Sequence, residues 1–304
     1  MCQNQCMKVI IVAGPTATGK TETAIKLAKT YNGELINADS RQVYKKLNIG
    51  TNKGVLSFKD SQYYIEEVPI HLISILEPTE RFNLFDFQKL ALEKIHDISK
   101  RGKIAIVVGG TGLYIDSLIK GYLLKDSNTE SRGVLNKLSV RELQQKISDK
   151  TLESLNESDR SNPRRLIRVI EKSEHIDFEN TDLGLNSFIL YPDYKWEELK
   201  YKIDQRVDEM FKNGLVEETN NLINEGLSQE SDSLKIMGYK QVVQLLNKEI
   251  DLNSCIERVK IAHKQYAKRQ RTWFEGIGRG YKLNKYSNTD EALRLSKSFL
   301  NDEV

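Results

Sequence analysis

The apolar run Val9-Ile10-Ile11-Val12-Ala13 leads without a break into Gly14-Pro15-Thr16-Ala17-Thr18-Gly19-Lys20-Thr21, and Glu22 to Tyr31 then reads as a helix. No other stretch restricts the fold as much. A strand, then G-x-x-x-x-G-K-[ST], then a helix is the context of a phosphate-binding loop. Successive backbone N–H groups of such a loop curl around an anionic oxygen cluster, and the helix N-terminus adds its dipole. Lys20 supplies a point charge to the outer phosphate, and the Thr21 hydroxyl is placed to ligate Mg²⁺. Residues Gly14, Pro15, Thr16, Ala17, Thr18, Gly19, Lys20 and Thr21 are therefore the expected anion site. The motif calls for a polyphosphate without saying which one.

The same alternation continues along the chain. Glu34 to Ala38 reads as a second strand, ending at Asp39-Ser40-Arg41-Gln42. Residues 84–100 carry helical apolar spacing, Gly102 closes that helix, and Lys103 to Val108 is a strand ending in Gly109-Gly110-Thr111-Gly112. Strands alternating with helices predict an α/β fold: a parallel P-loop sheet flanked by helices. Ligands of such sheets sit beyond the carboxyl ends of the strands, so the three strand ends should converge on one crevice. After Gly121 the chain turns polar and helix-forming, which suggests a smaller helical insertion. The expected division is a catalytic core over 1–121, an insertion over 122–185, and a second, mostly helical core part over 186–304, with a strand at 187–190. A net charge of +3 identifies no partner by itself. No stretch approaches membrane-spanning length, and Cys2, Cys6 and Cys255 lack CxxC spacing, so a reducing cytoplasm is the expected setting.

Several residues carry chemistry or its structural equivalent. Asp39, at the crevice mouth, is either an N-cap for the following segment or a carboxylate serving as metal ligand or general base. The strand before Gly109 ends without the acidic residue that an NTP-hydrolysing site needs for Mg²⁺, and its glycines permit close approach to the backbone. Arg206 falls on the apolar side of a helix, so it needs an anion: an internal carboxylate such as Asp39, or a polyphosphate. Asn162-Pro163 starts a helix whose first turns carry Arg164, Arg165 and Arg168, the wrong sign for the dipole there, which points to an external anion. In the segment 256–274, Lys260, Lys264, Lys268 and Arg271 trace a basic stripe with Arg269 nearby; it reads as a solvated face or a nucleic-acid surface.

Taken together, these residues resemble the tRNA dimethylallyltransferase (tRNA isopentenyltransferase) family, bacterial type. The resemblance covers nearly the whole chain in order. It rests on Gly14–Thr21, Asn37-Ala-Asp-Ser-Arg-Gln-Val-Tyr-Lys45, Asn48–Lys53, Val108-Gly-Gly-Thr-Gly-Leu-Tyr114, Asn162–Leu166, Arg206–Met210, Gly238-Tyr-Lys240 and Ala267-Lys-Arg-Gln-Arg-Thr-Trp-Phe274. It implies that the P-loop holds the diphosphate of dimethylallyl diphosphate, with Mg²⁺ as cofactor. The exocyclic nitrogen of the adenine at tRNA position 37 would attack the allylic carbon, and diphosphate would leave. By the same resemblance Asp39 is the general base, and Thr16 and Arg206 join Lys20 and Thr21 on the diphosphate as catalytic residues. Asp39, Ser40, Arg41, Gln42, Thr111, Arg132, Arg164, Arg165, Leu166, Ile167, Arg168, Lys268 and Arg269 match tRNA contacts. The implied partners are tRNA, through its anticodon stem-loop, and dimethylallyl diphosphate, on a monomer without a membrane.

The sequence also departs from the family. Ile70-His71 stands where two histidines are common, Ser74 where an aspartate is, and residues 121–135 and 173–186 match poorly. A P-loop kinase for a small molecule or nucleotide is the alternative. It explains residues 8–31 and Asp39, but not the basic helices or the glycine-ended strand. A non-catalytic RNA-binding protein is a third reading, and the intact Lys20, Thr21 and Asp39 argue against it.

Overall fold

Side chains of a strand alternate between two faces, and here both faces are buried. In β1 (Met7–Ala13), Val9, Ile11 and Ala13 join one apolar cluster while Ile10 and Val12 join another. Such a strand can only lie inside a sheet covered by helices on both sides. The computed structural model describes residues 6–123, 133–163, 165–167, 169–170, 181–276 and 280–302. The other strands are β2 (Gly33–Asn37), β3 (Ser57–Lys59), β4 (Gln62–Ile65), β5 (Val68–His71), β6 (Ile104–Gly109), β7 (Leu185–Pro192) and β8 (Asn284–Tyr286). They form one 8-stranded sheet in the order β3-β4-β5-β2-β6-β1-β7-β8. The pairs from β5 to β8 are parallel, and β3-β4-β5 is an antiparallel extension.

The expected α/β class with a parallel sheet is present, and the strands anticipated near 8–13, 34–38, 103–108 and 187–190 all exist. The strand β6 lies between β2 and β1. The carboxyl ends of these strands therefore stand side by side, and the P-loop, Asp39 and Gly110 follow them directly.

Helix α1 (Lys20–Tyr31) covers one face with Ala24, Ile25, Leu27 and Ala28. The other face is covered by α2 (Leu84–Lys100), through Phe87, Ala91, Ile95 and Ile98, and by α3 (Gly112–Lys120). Helix α2 starts sharply because Asn83 and Asp86 cap each other: Asn83 Oδ1 accepts from the Asp86 N–H at 3.1 Å, and Asp86 Oδ2 accepts from the Asn83 N–H at 2.9 Å.

The chain divides into two compact units, one of Met1–Ile119 with Leu183–Val304 and one of Lys120–Asp182. The second contains α4 (Val140–Gln144), α5 (Asp149–Ser154) and α6 (Glu157–Arg160). Its own small core is Leu135, Leu143, Ile147, Leu166, Ile167 and Ile170. In the first unit, α7 (Trp196–Lys212), α8 (Leu215–Asn224), α9 (Tyr239–Leu246) and α10 (Leu252–Glu275) pack with Val43, Tyr44 and Leu47 into a further cluster. Finally, α11 (Thr289–Leu300) returns to the face of α1.

One buried polar group lies away from the crevice. The Glu34 side chain, 4% exposed, accepts from Arg101, from Lys103 at 2.8 Å and meets His71 Nε2 at 2.8 Å. Burial opposes its ionisation, but hydrogen bonds from Arg101, Lys103 and His71 outweigh burial and hold the carboxyl far below the usual range. Glu34→Gln should cost about 3 kcal/mol at pH 7, because it strands the partners of a buried ion pair. The depressed value places this stabilisation above the unfolded-state pKa of roughly 4 and removes it as pH falls further. The stability difference between wild type and variant in urea should therefore start to shrink below about pH 4 and keep shrinking as pH falls toward the depressed folded-state value.

Candidate active site

The P-loop is shaped by backbone conformations that few residues tolerate. Gly19 sits at φ 78° as the N-cap of α1 and offers no side-chain cap, so the first N–H groups of α1 remain for a ligand. Ala17 is also left-handed, at φ 65°, a strain offset by packing against Leu199, Ile203 and Ala267. That packing fixes α7 and α10 against the loop. One turn beyond Ile203, Arg206 reaches the loop, and its Nη1 donates to Thr16 Oγ1 at 2.9 Å. The Thr16 N–H donates to Gln270 Oε1 of α10 at 2.8 Å, and Gln270 Nε2 donates to the Gly110 carbonyl at 2.9 Å. Gln270 thus ties the loop after β1 to the loop after β6. Lys20 turns back and donates to the Pro15 carbonyl, which Thr18 Oγ1 also reaches at 2.9 Å.

The end of β2 is held from several sides. The Asp39 N–H donates to Asn37 Oδ1 at 3.2 Å, and Asn37 Nδ2 donates to the Leu72 carbonyl at 3.0 Å. Asp39 Oδ1 accepts from the Arg41 N–H at 2.8 Å. The segment after Asp39 is turn and bend, not helix, so Asp39 caps a turn and the helix N-cap expectation is replaced. The Ser40 N–H donates to Thr111 Oγ1 at 3.0 Å, and Gln42 Nε2 donates to the carbonyls of Thr51 and Asn52 at 3.0 and 3.1 Å. The glycines after β6 serve close approach within the chain. A Cβ on Gly109 would stand 2.3 Å from the Ala38 carbonyl, one on Gly110 2.0 Å from Gln270, and one on Gly112 2.2 Å from Trp273.

These pieces enclose a cavity of about 290 Å³. Thr16 to Thr21, Asp39, Gln42, Gly109, Gly110, Arg206 and Gln270 line it, with Ile65, Ile70, Ile73 and Val108 on an apolar side. Burial pushes the Lys20 ammonium down to about 7; the Arg206 charge adds to this and Asp39 opposes it. Burial raises the Asp39 carboxyl above its ordinary value, against the Arg41 N–H, the charges of Arg41 and Lys20, and the Gln42 N–H. Burial also lowers Arg206. An ammonium and a guanidinium both made less comfortable, beside a carboxyl made more basic, describe a site that gains from an incoming anion.

Arg206 makes no ion pair among the described residues, so its anion is not Asp39. The basic stripe needs correction. Lys260 pairs with Asp208 at 2.8 Å, Lys264 with Asp204 at 2.6 Å, and Arg271 with Glu275 at 3.0 Å, so neighbouring acids compensate most of it. Lys268 and Arg269 are exposed, and Arg269 lies 5.8 Å from the Tyr266 ring centre. In the second unit Arg165 pairs with Asp159, and Asn162 Oδ1 accepts from the Arg165 N–H at 3.3 Å. Leu166 and Ile167 are buried in that unit's core, which removes their side chains from any surface contact. Arg132, Arg164 and Arg168 lie outside the described residues. Sequence reasoning missed Gln270 as a site residue; its signal was an amide on the buried stripe of α10, with Val259, His263, Ala267 and Phe274.

The sequence profile of the IPP transferase family matches residues 42–277. The chain is 36% identical over 309 residues to the tRNA dimethylallyltransferase of Thermoanaerobacter sp. strain X514, covering 94% of this chain and 95% of the relative. It is 40% identical over 277 residues to that of Anoxybacillus flavithermus, covering 88% and 87%. The chain belongs to the IPP transferase family. Solved relatives share its fold. The full-length tRNA isopentenylpyrophosphate transferase of Bacillus halodurans superposes with a TM-score of 0.71 at 31% identity, over 97% of this chain and 96% of that one. A eukaryotic dimethylallyltransferase captured acting on tRNA superposes with a TM-score of 0.78 at 27% identity, over 97% and 80%. The matched family span includes Arg206 and Gln270, the two side chains that bond Thr16.

Proposed function

We propose that this chain transfers the dimethylallyl group of dimethylallyl diphosphate to the exocyclic N6 of the adenosine at tRNA position 37, releasing diphosphate. The observation that carries this is the single cavity in which the P-loop, Lys20 and Arg206 face Asp39. The loop and its two cations hold the leaving group. Asp39 takes the N6 proton as the N6–carbon bond forms and the carbon–oxygen bond breaks. Thr16, bonded to both Arg206 and Gln270, fixes the guanidinium over the leaving diphosphate. Contacts to a leaving diphosphate strengthen as charge develops on it, which is how they lower the barrier.

Among the described residues no group of three or more His, Cys, Asp or Glu could hold a metal. A divalent ion would therefore rest on phosphate oxygens and water, with the Thr21 hydroxyl from the protein. That donor set suits Mg²⁺, which would neutralise part of the diphosphate charge. A kinase reading is disfavoured by β6, whose end is closed by Gln270 rather than opened by an acidic metal ligand. Incubation with tRNA and labelled dimethylallyl diphosphate in the absence of ATP should label the tRNA; a requirement for ATP would support the kinase.

In this reading the helical segment 122–185 is a tRNA-contacting insertion in a cytoplasmic, monomeric enzyme whose core is 1–121 with 186–304. Ser40, Arg41, Gln42, Thr111, Lys268 and Arg269 contribute tRNA contacts from the core. Lys268 and Arg269 are the basic residues of the stripe that no acid compensates among the described residues. Lys268→Ala/Arg269→Ala should weaken tRNA binding about tenfold at low salt and make the slope of log affinity against log salt shallower by about 1.5. Neutralising Lys260 and Lys264 should change that slope much less, because their charges are already paired. Filter binding at several salt concentrations distinguishes the two pairs.

A further inference from the structure

We propose that Glu218 and Tyr239, neither of which lines the cavity, are positioning residues for the target base: they fix the turn at 48–52, and that turn sets which end of the Gln42 amide faces the crevice. This rests on reading the crevice as the site of the target adenine. The N–H groups of Asn48 and Ile49 donate to the Glu218 carboxylate at 3.0 Å, and that of Gly50 at 3.3 Å. Three successive backbone donors thus wrap one carboxylate supplied by α8, and a charged acceptor makes each bond stronger than a neutral one would. Tyr239, fully buried at the start of α9, closes the arrangement. Its hydroxyl donates to Glu218 Oε1 at 2.6 Å and accepts from the Gly50 N–H at 3.2 Å. Burial first, and then the Glu218 carboxylate, push this phenol well above its ordinary value, so it stays protonated and able to donate. The turn rests directly on the ring: a Cβ on Gly50 would stand 2.5 Å from Tyr239.

The turn passes its geometry on. The Asn52 N–H donates to the Ile49 carbonyl at 3.0 Å, and the Lys53 N–H to the Asn48 carbonyl at 3.1 Å. The carbonyls of Thr51 and Asn52 are thereby aimed at Gln42, whose Nε2 donates to them at 3.0 and 3.1 Å. A carbonyl only accepts, so two of them can be met only by the NH₂ end of an amide. That chemistry fixes the orientation of Gln42. Its Oε1 has no partner among the described residues and is left for the cavity that Gln42 lines with Asp39. Adenine carries an amine where guanine carries an oxygen, and an acceptor welcomes the first and repels the second. The amine has two hydrogens: Asp39 takes one as a proton, and the Gln42 oxygen accepts a hydrogen bond from the other.

Competition binding of short RNA stem-loops with adenine or guanine at the target position, to the full chain without prenyl donor, tests this. The wild type should prefer adenine by about tenfold, the worth of one buried hydrogen bond set against two acceptors left facing each other. Gln42→Ala should lose that preference. Tyr239→Phe removes one hydroxyl and keeps the ring beneath Gly50. It should cut the preference by about threefold or more, because the Gln42 amide is then free to turn. It should leave calorimetric binding of inorganic diphosphate unchanged, and weaken the adenine stem-loop no further in the Gln42→Ala background. Glu218→Gln should act alike, and Tyr239→Phe carries the test if that protein does not fold. A Tyr239→Phe protein with lower Tm and full preference for adenine would overturn the proposal and leave the pair as a brace of the fold. Equal weakening of the adenine stem-loop with and without Gln42 would overturn it too. A wild type without preference for adenine refutes the underlying reading of the crevice. A preference that Gln42→Ala loses and Tyr239→Phe keeps refutes only the role of Glu218 and Tyr239.

Discussion

Asp39→Asn is expected to lower the single-turnover rate of prenyl transfer by about a hundred- to ten-thousand-fold while leaving diphosphate binding undiminished. Asparagine keeps an oxygen that can accept from the Arg41 N–H, so the turn after β2 survives. What it loses is the ability to take a proton. The adenine amine is a poor nucleophile because its lone pair is delocalised, so proton removal during bond formation should count heavily. The burial that raises the Asp39 carboxyl makes it a better base than an exposed aspartate, although the Lys20 and Arg41 charges work against this. Asp39→Ala removes turn cap and base together. If asparagine restored most of the activity lost in alanine, Asp39 would matter only as the cap of its turn.

Lys20→Ala should impair use of dimethylallyl diphosphate by about a hundred- to a thousand-fold and leave tRNA affinity largely intact. The pH dependence of the wild type gives a second, independent reading. In the ligand-free chain Lys20 is pushed down to about 7, by burial first and by Arg206 second. An anion favours the protonated form, so binding above that pH must take up a proton. Affinity for a diphosphate ester should therefore fall as pH rises from about 7 toward 9, by up to about tenfold per unit. The terminal phosphate of a diphosphate ester has its last pKa near 6, so its own charge is nearly constant across that window. Calorimetry in buffers of different ionisation enthalpy should show proton uptake in the wild type and less of it in Lys20→Ala. Equal loss of tRNA binding in that variant would refute the division of labour between the anion clamp and the RNA surface.

The parts of the fold legible in the sequence were those with long, one-sided patterns. β1, α1, β2, α2 and β6 each have an apolar run or a helical stripe, and the glycines of the P-loop and of Gly109–Gly112 mark where they stop. The unread strands are short and tertiary in origin. β3 and β4 form a polar edge hairpin, β5 is the tetrapeptide Val-Pro-Ile-His, and β8 is Asn-Lys-Tyr, held by its pairing with β7. The acids that neutralise Lys260 and Lys264 are Asp208 and Asp204 on α7, more than a helix away in sequence, so the stripe looked bare. Arg206 was correctly placed on an inward face, but its hydrogen bond to Thr16 depends on how α7 packs on Ala17, which no spacing rule supplies.

Helix α10 is one continuous rod of 24 residues. It carries exposed Lys268 and Arg269 immediately before Gln270, whose amide clasps both Thr16 and Gly110, and it sets Trp273 against Gly112. Adjacent residues of a rigid rod cannot be displaced separately. Lys268 and Arg269 thus lie within a single turn of the amide that bonds the Thr16 N–H and the Gly110 carbonyl, on one uninterrupted helix. Any effect of RNA on the affinity for the anion must be matched by an equal effect of the anion on the affinity for RNA. The proposed anion site and the outer cations therefore share one helix, and the order in which ligands arrive should leave a measurable mark on the affinity of each for the other.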